Sequence, residues 1–171
     1  MSEYQEQLRE KQRLRDFKLT MTKFIMTSRF NNSTWSENEQ YRERLNHTGC
    51  IYCCPVAVTQ RIPYESIMFV LEMNNDTNKI VGIGMVKNRA IREKYKVYED
   101  GNYNRYVFVG NHRIDRSEMN EDEESVMQLF DVLCFKGNRH MKRGQGLRSF
   151  PVELLYEFCL LYTSPSPRDG S

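Results

Sequence analysis

An alternating apolar run, a polar turn and a second apolar run constrain the fold of this chain more than any other feature. The odd-numbered positions of Ile67–Met73 are all apolar, which is the two-residue period of a strand with one buried face. The turn-forming segment Asn74–Asn78 follows, and Lys79–Val86 is again mostly apolar, so the pattern predicts a β-hairpin. Gly82 and Gly84 share one face of the second strand, which indicates a bulge, a tight bend, or close approach of another backbone or a ligand.

Further strands and helices are predicted on both sides of this hairpin. Cys50–Pro55 and Arg105–Ile114 are rich in β-branched, aromatic and other apolar residues, which favours strands. Apolar residues at helical spacing predict an amphipathic helix over residues 3–27. The Ser-x-x-Glu pattern at 36–39 is typical of a capping box and opens a short helix that runs to Arg44.

A third helix follows the strands. Asn120 can cap it, and its first turn, Glu121–Glu124, is acidic, which suits the positive end of the helix dipole. Gly137 ends it, and a last helix begins near Pro151. The side chains expected to form its buried stripe are Val126, Leu129, Phe130 and Leu133.

The order of these elements predicts the fold class. Two helices precede four or five strands, and a helix, a basic loop and a last helix follow them. Such segregation is typical of an α+β fold, here a small curled antiparallel sheet or open β-barrel flanked by helices. We expect an N-terminal helical segment over residues 1–46 and the α+β domain over residues 47–158.

Composition limits the environment more than the function. The formal net charge is +2, so the whole chain presents no strong field to a polyanion. The N-terminus is charged from its third residue and lacks the apolar stretch of a signal peptide, and no run approaches the ~18 apolar residues of a membrane span. We therefore expect an intracellular protein with no membrane partner, in which Cys50, Cys53, Cys54 and Cys134 are reduced thiols or metal ligands.

The segment 136–148, KGNRHMKRGQGLR, is the most informative part of the chain for function. It carries five cations, one histidine, three glycines and no acid, so it could offer amide and guanidinium groups to phosphate oxygens. A second basic group lies over residues 105–116, and if the two groups share a face they form a positive groove. The alternative is a solvated loop whose charge is balanced by Glu121–Glu124.

The expected nucleic-acid interface combines these cations with aromatic side chains. Single-stranded nucleic acid requires phosphate neutralisation together with base stacking. The residues expected to contact nucleic acid are Arg105, His112, Arg113, Arg116, Lys136, Arg139, His140, Lys142, Arg143 and Arg148. The candidates for base stacking are Trp35, Tyr52, Tyr103 and Tyr106, although a lid over the core is the favoured role of Trp35.

His47, Cys50 and Cys53 form the nearest approach to a metal motif. Zinc needs four nitrogen or sulfur ligands, usually as two close pairs, and no second pair follows at a suitable spacing. Simple burial of free thiols explains the cysteines as well. The sequence therefore predicts neither a metal nor another cofactor.

Catalytic motifs are equally sparse. The chain contains no P-loop, GxSxG, HExxH or dinucleotide-binding fingerprint. His112, His140, Asp115 and Glu72 are the candidates for acid–base or metal-dependent nuclease chemistry, but no pair of them has diagnostic spacing. Core or surface roles are favoured for all four.

Two short segments carry a resemblance to a known family. CIYCCP at 50–55 resembles the strand that opens the barrel of PUA-like domains, and KIVGIGMV at 79–86 resembles the strand that crosses it. This resemblance to the PUA-like superfamily (PUA, ASCH, EVE and YTH types) covers residues 49–117 and implies binding of RNA or of a modified base. Residues 49–155 also resemble uncharacterised proteins of large DNA viruses of algae and protists.

The end of the chain resembles something other than protein. Residues 159–169 read CLLYTSPSPRD, which is similar to the in-frame translation of a transposase-based sequencing adaptor. We therefore expect residues 159–171 to lack fixed structure and the α+β domain to be cut short at Phe158. A native Ser/Pro-rich tail is the alternative.

Three functions remain open on the sequence alone. The first is a module that binds RNA or single-stranded DNA with the basic loop, and it is the reading we favour. The second is an interaction domain that docks a protein partner through the N-terminal helix, using Leu14, Phe17 and Met21. The third is a nuclease-like phosphoryl-transfer enzyme built on His112 and His140.

Overall fold

The computed structural model describes residues 2–20 (side chains to residue 16), 23–91, 96–154 and 157. The chain separates into two compact units, Lys23–Phe150 and a second unit that joins Met1–Thr22 to Pro151–Ser171. The residues that resemble adaptor lie outside the described part of the chain.

The unit Lys23–Phe150 holds all of the described strands and two of the helices. Its elements in chain order are β1 Lys23–Phe30, α2 Asn32–Arg44, β2 Cys50–Cys54, β3 Ile67–Asn74, β4 Lys79–Lys87, β5 Tyr106–Gly110, β6 His112–Asp115, α3 Glu121–Phe135 and β7 Arg148–Ser149. α1, Glu3–Thr20, belongs to the other unit.

The strands form two sheets. Five strands make a mixed sheet in the order β6-β4-β3-β1-β7, in which β1 runs parallel to β3 and the other pairs are antiparallel. β2 and β5 pair antiparallel in a second, two-stranded sheet. The predicted α+β class is confirmed, but the larger sheet is mixed rather than antiparallel, and the sheets do not close into a barrel.

β1 is the element that the sequence analysis missed. Residues 23–27 were assigned to a helix, yet β1 pairs along its whole length with β3. Its interior is covered on both faces, so it lacks the polar alternation that distinguishes a half-exposed strand from a helix. α2 accordingly starts earlier than predicted, at Asn32, where Asn31 and Thr34 form a reciprocal capping box.

Two other predictions about the elements are corrected. Arg105–Ile114 is not one strand, because the chain passes at Asn111 from β5 in the small sheet to β6 in the large one. α3 is capped by Asn120 as predicted, but its buried side chains are Met127, Phe130, Cys134 and Phe135. Val126 is exposed, so the buried stripe is rotated by about one position from the predicted one.

The predicted hairpin is confirmed as β3 and β4, with an irregularity at Glu72 and Met73. The two glycines of β4 make room for another backbone as well as for side chains. A Cβ on Gly84 would overlap the Tyr52 hydroxyl. A Cβ on Gly82 would lie 2.7 Å from the Ile114 carbonyl oxygen and 2.8 Å from an Arg113 guanidinium nitrogen. The predicted close approach of another backbone is therefore confirmed at Gly82, and polar side chains cross the strand at both glycines.

The five-stranded sheet is covered on both faces. Met68 and Val70 point into a core shared with β2, β5 and α2. Leu71 and Met73 have the opposite strand parity and are also fully buried, on the side where α3 packs against β4. Burial of β3 on both faces makes it the central strand of the fold.

α1 is described only in part. Tyr4 and Leu8 are exposed, while Leu14 is half-buried. The side chains of Phe17 and Met21 lie outside the described residues, so the predicted protein partner of this helix stays a prediction. Among the described residues, none of the helices is long and apolar enough to cross a bilayer.

We predict that Gly84→Ala lowers the free energy of unfolding by about 1–3 kcal/mol, because the new methyl group would overlap the Tyr52 hydroxyl and lie 2.7 Å from Cys50 Sγ. Urea denaturation measures the change. The matched control is Gly101→Ala, since a Cβ there meets no atom within 4 Å, and we expect a shift within about 0.5 kcal/mol. Equal stability of the two variants would contradict the packing of Tyr52 against β4.

Candidate nucleic-acid interface

Arg29 of β1 attaches the basic loop to the sheet. Its Nη1 donates to the Met141 carbonyl at 3.0 Å, and its Nη2 donates to the Gly146 carbonyl at 2.9 Å. Both nitrogens also bond to Thr27, at its hydroxyl and its carbonyl. All of these partners are neutral. The guanidinium therefore holds the loop in place, and none of these partners balances its positive charge.

Glycines allow the loop to take this path. Gly144 and Gly146 have φ values of +140° and +70°, a region that side-chain-bearing residues rarely adopt. Gly146 also lies against β2, where a Cβ would be 3.1 Å from the Cys54 Cβ. The loop then joins the sheet through β7, whose two residues pair with Met26 and Thr27.

A cavity of about 380 Å³ lies between this loop, β1 and the segment around Tyr98 and Tyr103. Its cationic lining residues are Arg29 and Lys142, and its described lining includes no carboxylate. Tyr103 is 42% exposed and packs edge-to-face on Tyr98, with ring centroids 6.4 Å apart. The cavity therefore combines positive charge with an accessible aromatic ring.

Two buried polar atoms in the wall of this cavity have no hydrogen-bond partner. They are Nε of Arg29 and Oδ1 of Asn75, and no other buried side-chain nitrogen or oxygen of the described residues is left unpaired. The Asn75 amide is fixed from its other end, because Nδ2 donates to the Lys142 carbonyl at 3.0 Å. An unpaired buried polar group costs about 1–3 kcal/mol, so a donor and an acceptor left unpaired on two residues that line one cavity call for an explanation, such as a ligand or water.

The surroundings of Arg29 disfavour its charged form. Burial, and after it the nearby charge of Arg148, lower the pKa of Arg29 to about 10, which leaves the group protonated at neutral pH. Arg148 Nε and Arg29 Cζ each lie 3.6 Å from the position that a Cβ on Gly144 would occupy. Two like charges held this close favour an anion between or beside them.

The second basic group does not join this surface. β6 and β7 are the two opposite edges of the five-stranded sheet, so His112 and Arg113 are separated from Arg148 by the width of three strands. The spacing of strands in a sheet makes this distance roughly 20 Å. The predicted single groove formed by residues 105–116 and 136–148 is therefore wrong.

Two arginines of the second group, Arg113 and Arg116, are also neutralised by carboxylates. Arg113 forms a bidentate pair with Glu72, with Nη2 to Oε1 at 2.8 Å, and contacts Asp115 at 3.0 Å. Arg116 pairs with Glu124 at 2.8 Å and with Asp131 at 2.9 Å. Acidic residues of α3 thus balance a cation after β6, not the basic loop as the alternative reading supposed.

The candidate residues Glu72 and Tyr52 belong to one buried network. The Tyr52 hydroxyl donates to Glu72 Oε2 at 2.7 Å, and both side chains are about 99% buried. Burial, and next the neighbouring Glu72 carboxylate, raise the pKa of Tyr52 well above its usual range, so the phenol remains a donor. Tyr52 offers no face for base stacking, and Glu72 serves the fold.

The remaining stacking candidates separate. Trp35 packs edge-to-face on Phe30, with ring centroids 5.0 Å apart, and the Arg113 guanidinium lies over the Trp35 ring, with Cζ 5.0 Å from its centroid. These contacts are those expected of a lid over the core. Tyr106 and Arg105 line a different cavity, which Tyr64 also borders. Tyr103 is the predicted stacking residue that shares a cavity with a residue of the basic loop.

The catalytic candidates do not converge. Asp115 contacts Arg113 and Ser117. His112 is exposed on β6, whereas His140 lies in the loop fixed by Arg29, where its Nδ1 accepts the Lys142 amide at 3.3 Å. Nothing in these contacts joins either histidine to an acid within hydrogen-bond reach.

The metal candidates His47 and Cys50 contact backbone carbonyls. His47 Nε2 is 2.8 Å from the Gly110 carbonyl and 3.3 Å from the Cys50 carbonyl, and Cys50 Sγ contacts the carbonyls of Met85 and His112. Burial raises the pKa of the Cys50 thiol to about 11. Within the described ranges, no group of three or more His, Cys, Asp or Glu side chains could hold a metal ion.

Several residues of the cavity were not predicted from the sequence, among them Arg29, Asn75 and Tyr98. Arg29 was overlooked because β1 was not predicted, and Asn75 was assigned only to the hairpin turn. Tyr98 lies in irregular chain, where its hydroxyl contacts the Asn38 amide at 3.1 Å.

Comparison of the chain with protein-family models, with curated proteins and with solved structures finds no match in any of the three. The likeness to PUA-like domains therefore stays a prediction. Any function must be argued from the geometry of the site.

We predict that Glu72→Gln lowers the free energy of unfolding by about 3 kcal/mol, because the substitution removes the counter-charge of a buried guanidinium. The matched control is Glu65→Gln, which breaks an exposed pair with Arg89 and should cost less than about 1 kcal/mol. Denaturant midpoints and slopes measure both. A loss no larger for Glu72→Gln than for Glu65→Gln would contradict the structural role of the network.

Proposed function

We propose that this protein binds RNA or single-stranded DNA through the basic loop 136–148 and the cavity that the loop borders. The observation that carries the proposal is the acid-free cavity in which Arg29, Lys142 and the exposed ring of Tyr103 lie together. These are the two components that single strands need, namely cations for the phosphates and an aromatic face for a base.

The charges of the loop are free to meet a ligand. Lys136, Arg139, Arg143 and Arg148 are exposed, and no ion pair within the described residues involves any of them. Arg113 and Arg116, by contrast, are paired with carboxylates. The proposed surface therefore consists of the loop and the cavity, without the residues of β6.

The dimensions and chemistry of the cavity suit a nucleotide unit. A volume of about 380 Å³ falls within the range of sites that hold one small ligand. Tyr103 at its rim can stack on a base, an interaction worth about 1–3 kcal/mol in single-strand complexes. The loop cations outside the cavity would then contact the neighbouring phosphates.

We expect the affinity of the 171-residue protein for a labelled 20-nucleotide RNA or DNA strand to fall steeply between 50 and 300 mM NaCl, because each neutralised phosphate releases a counterion. The double substitution Arg139→Gln with Arg143→Gln should reduce the slope of log Kd against log salt by about 1.4, or 0.7 for each contact. Fluorescence anisotropy measures both quantities.

The matched control for this experiment is Arg61→Gln with Lys87→Gln, which removes the same two charges from exposed positions outside the loop. We expect it to leave the slope nearly unchanged. A loss equal to that of the loop variant would reduce the effect to net charge, and absence of salt-dependent binding to every strand would overturn the proposed function.

A further inference from the structure

We infer that the inner part of this cavity is a subsite for a phosphate monoester, so that the protein prefers a nucleotide that carries a terminal phosphate. The inference deepens the proposed function and rests on it, because it names the chemical group that the nucleic-acid surface recognises. Three observations support it: the count of cations, the unpaired donor of Arg29 and the unpaired acceptor of Asn75.

The first observation is the number of positive charges. Arg29 and Lys142 line the cavity, and Arg148 lies near Arg29 across Gly144. A phosphodiester within a strand carries one negative charge, whereas a phosphate monoester carries about 1.5 to 2 at neutral pH. The described lining thus has two cations, a third cation nearby and no carboxylate. This excess of positive charge matches the monoester better than the diester.

The second observation concerns the donors of Arg29. Its two terminal nitrogens are occupied by carbonyls of Thr27, Met141 and Gly146, while Nε has no partner although it is buried. A phosphate oxygen is the acceptor that guanidinium groups prefer, and its charge would also relieve the repulsion between Arg29 and Arg148. The arginine is thus fixed in position by the loop and keeps one donor for a ligand.

The third observation distinguishes a nucleotide from inorganic phosphate. Asn75 Oδ1 is an acceptor, and an acceptor beside a phosphate oxygen would repel it. Because Nδ2 is held by the Lys142 carbonyl, the amide cannot reverse without losing that bond. Oδ1 therefore calls for a donor in the same ligand, such as a ribose hydroxyl or the amino group of a base.

Either a strand end or a free nucleoside monophosphate could supply the phosphate monoester. The test therefore measures the affinity of the 171-residue protein for one 12-nucleotide RNA sequence in three forms: with a 5′-phosphate, with a 3′-phosphate and without a terminal phosphate. Adenosine monophosphate and inorganic phosphate are titrated as competitors. We expect one phosphorylated end to bind at least about tenfold more tightly than the unphosphorylated strand, equivalent to about 1.4 kcal/mol.

Two variants locate the effect. Lys142→Gln removes a cation from the cavity while keeping the backbone contacts of residue 142, and we expect it to abolish the preference for the phosphorylated end. Arg143→Gln is the matched control, because Arg143 is exposed in the same loop and does not line the cavity. Arg143→Gln should lower the affinity for phosphorylated and unphosphorylated strands by the same factor.

Each outcome decides between the two proposals. Equal affinity for all three strands would overturn the subsite and leave the proposed function in place. Binding or competition by adenosine monophosphate, without binding of any strand, would support the subsite and overturn the nucleic-acid function. Absence of binding by strands and mononucleotide alike would overturn both proposals. If Lys142→Gln and Arg143→Gln lose the preference for the phosphorylated end equally, the phosphate lies outside the cavity and the subsite is overturned.

Discussion

The buried Glu72 carboxylate is the interaction on which the rest of the fold depends. It receives hydrogen bonds from Tyr52 of β2 and Arg113 of β6, so one side chain of β3 joins strands from both sheets. Burial by itself would lower the pKa of Arg113, but Glu72 and then Asp115 hold the pKa above its ordinary value. A buried charge is tolerated only with complete pairing, so these strands must assemble together.

Two arginines of this protein differ in whether their hydrogen-bond partners balance their positive charge. Arg113 meets two carboxylates and has no charge to offer to a ligand. Arg29 meets carbonyls, a hydroxyl and the Met73 sulfur, which order its guanidinium but leave its charge uncompensated. A count of basic residues along the chain treats the two as equal, whereas the contacts show that Arg113 is paired with carboxylates and that Arg29 has only neutral partners.

Local patterns in the sequence were sufficient for the hairpin and for the cap of α3 at Asn120. Non-local pairing was not accessible in the same way. β1 is buried on both faces and pairs with a strand that lies 44 positions further along, and the Glu72 partner of Arg113 lies 41 positions away. No spacing rule within a short window contains that information, which explains why the expected groove combined residues from opposite edges.

The edges of the five-stranded sheet have a consequence for self-association. β6 is four residues long and turns Arg113 inward toward Glu72, while β7 pairs through only two residues. Short edge strands and inward-pointing charges are devices that discourage a foreign strand from extending a sheet. A second molecule that added a strand beside β6 would find few backbone groups to pair with, and this sheet is therefore a poor template for aggregation even though its interior strands are strongly apolar.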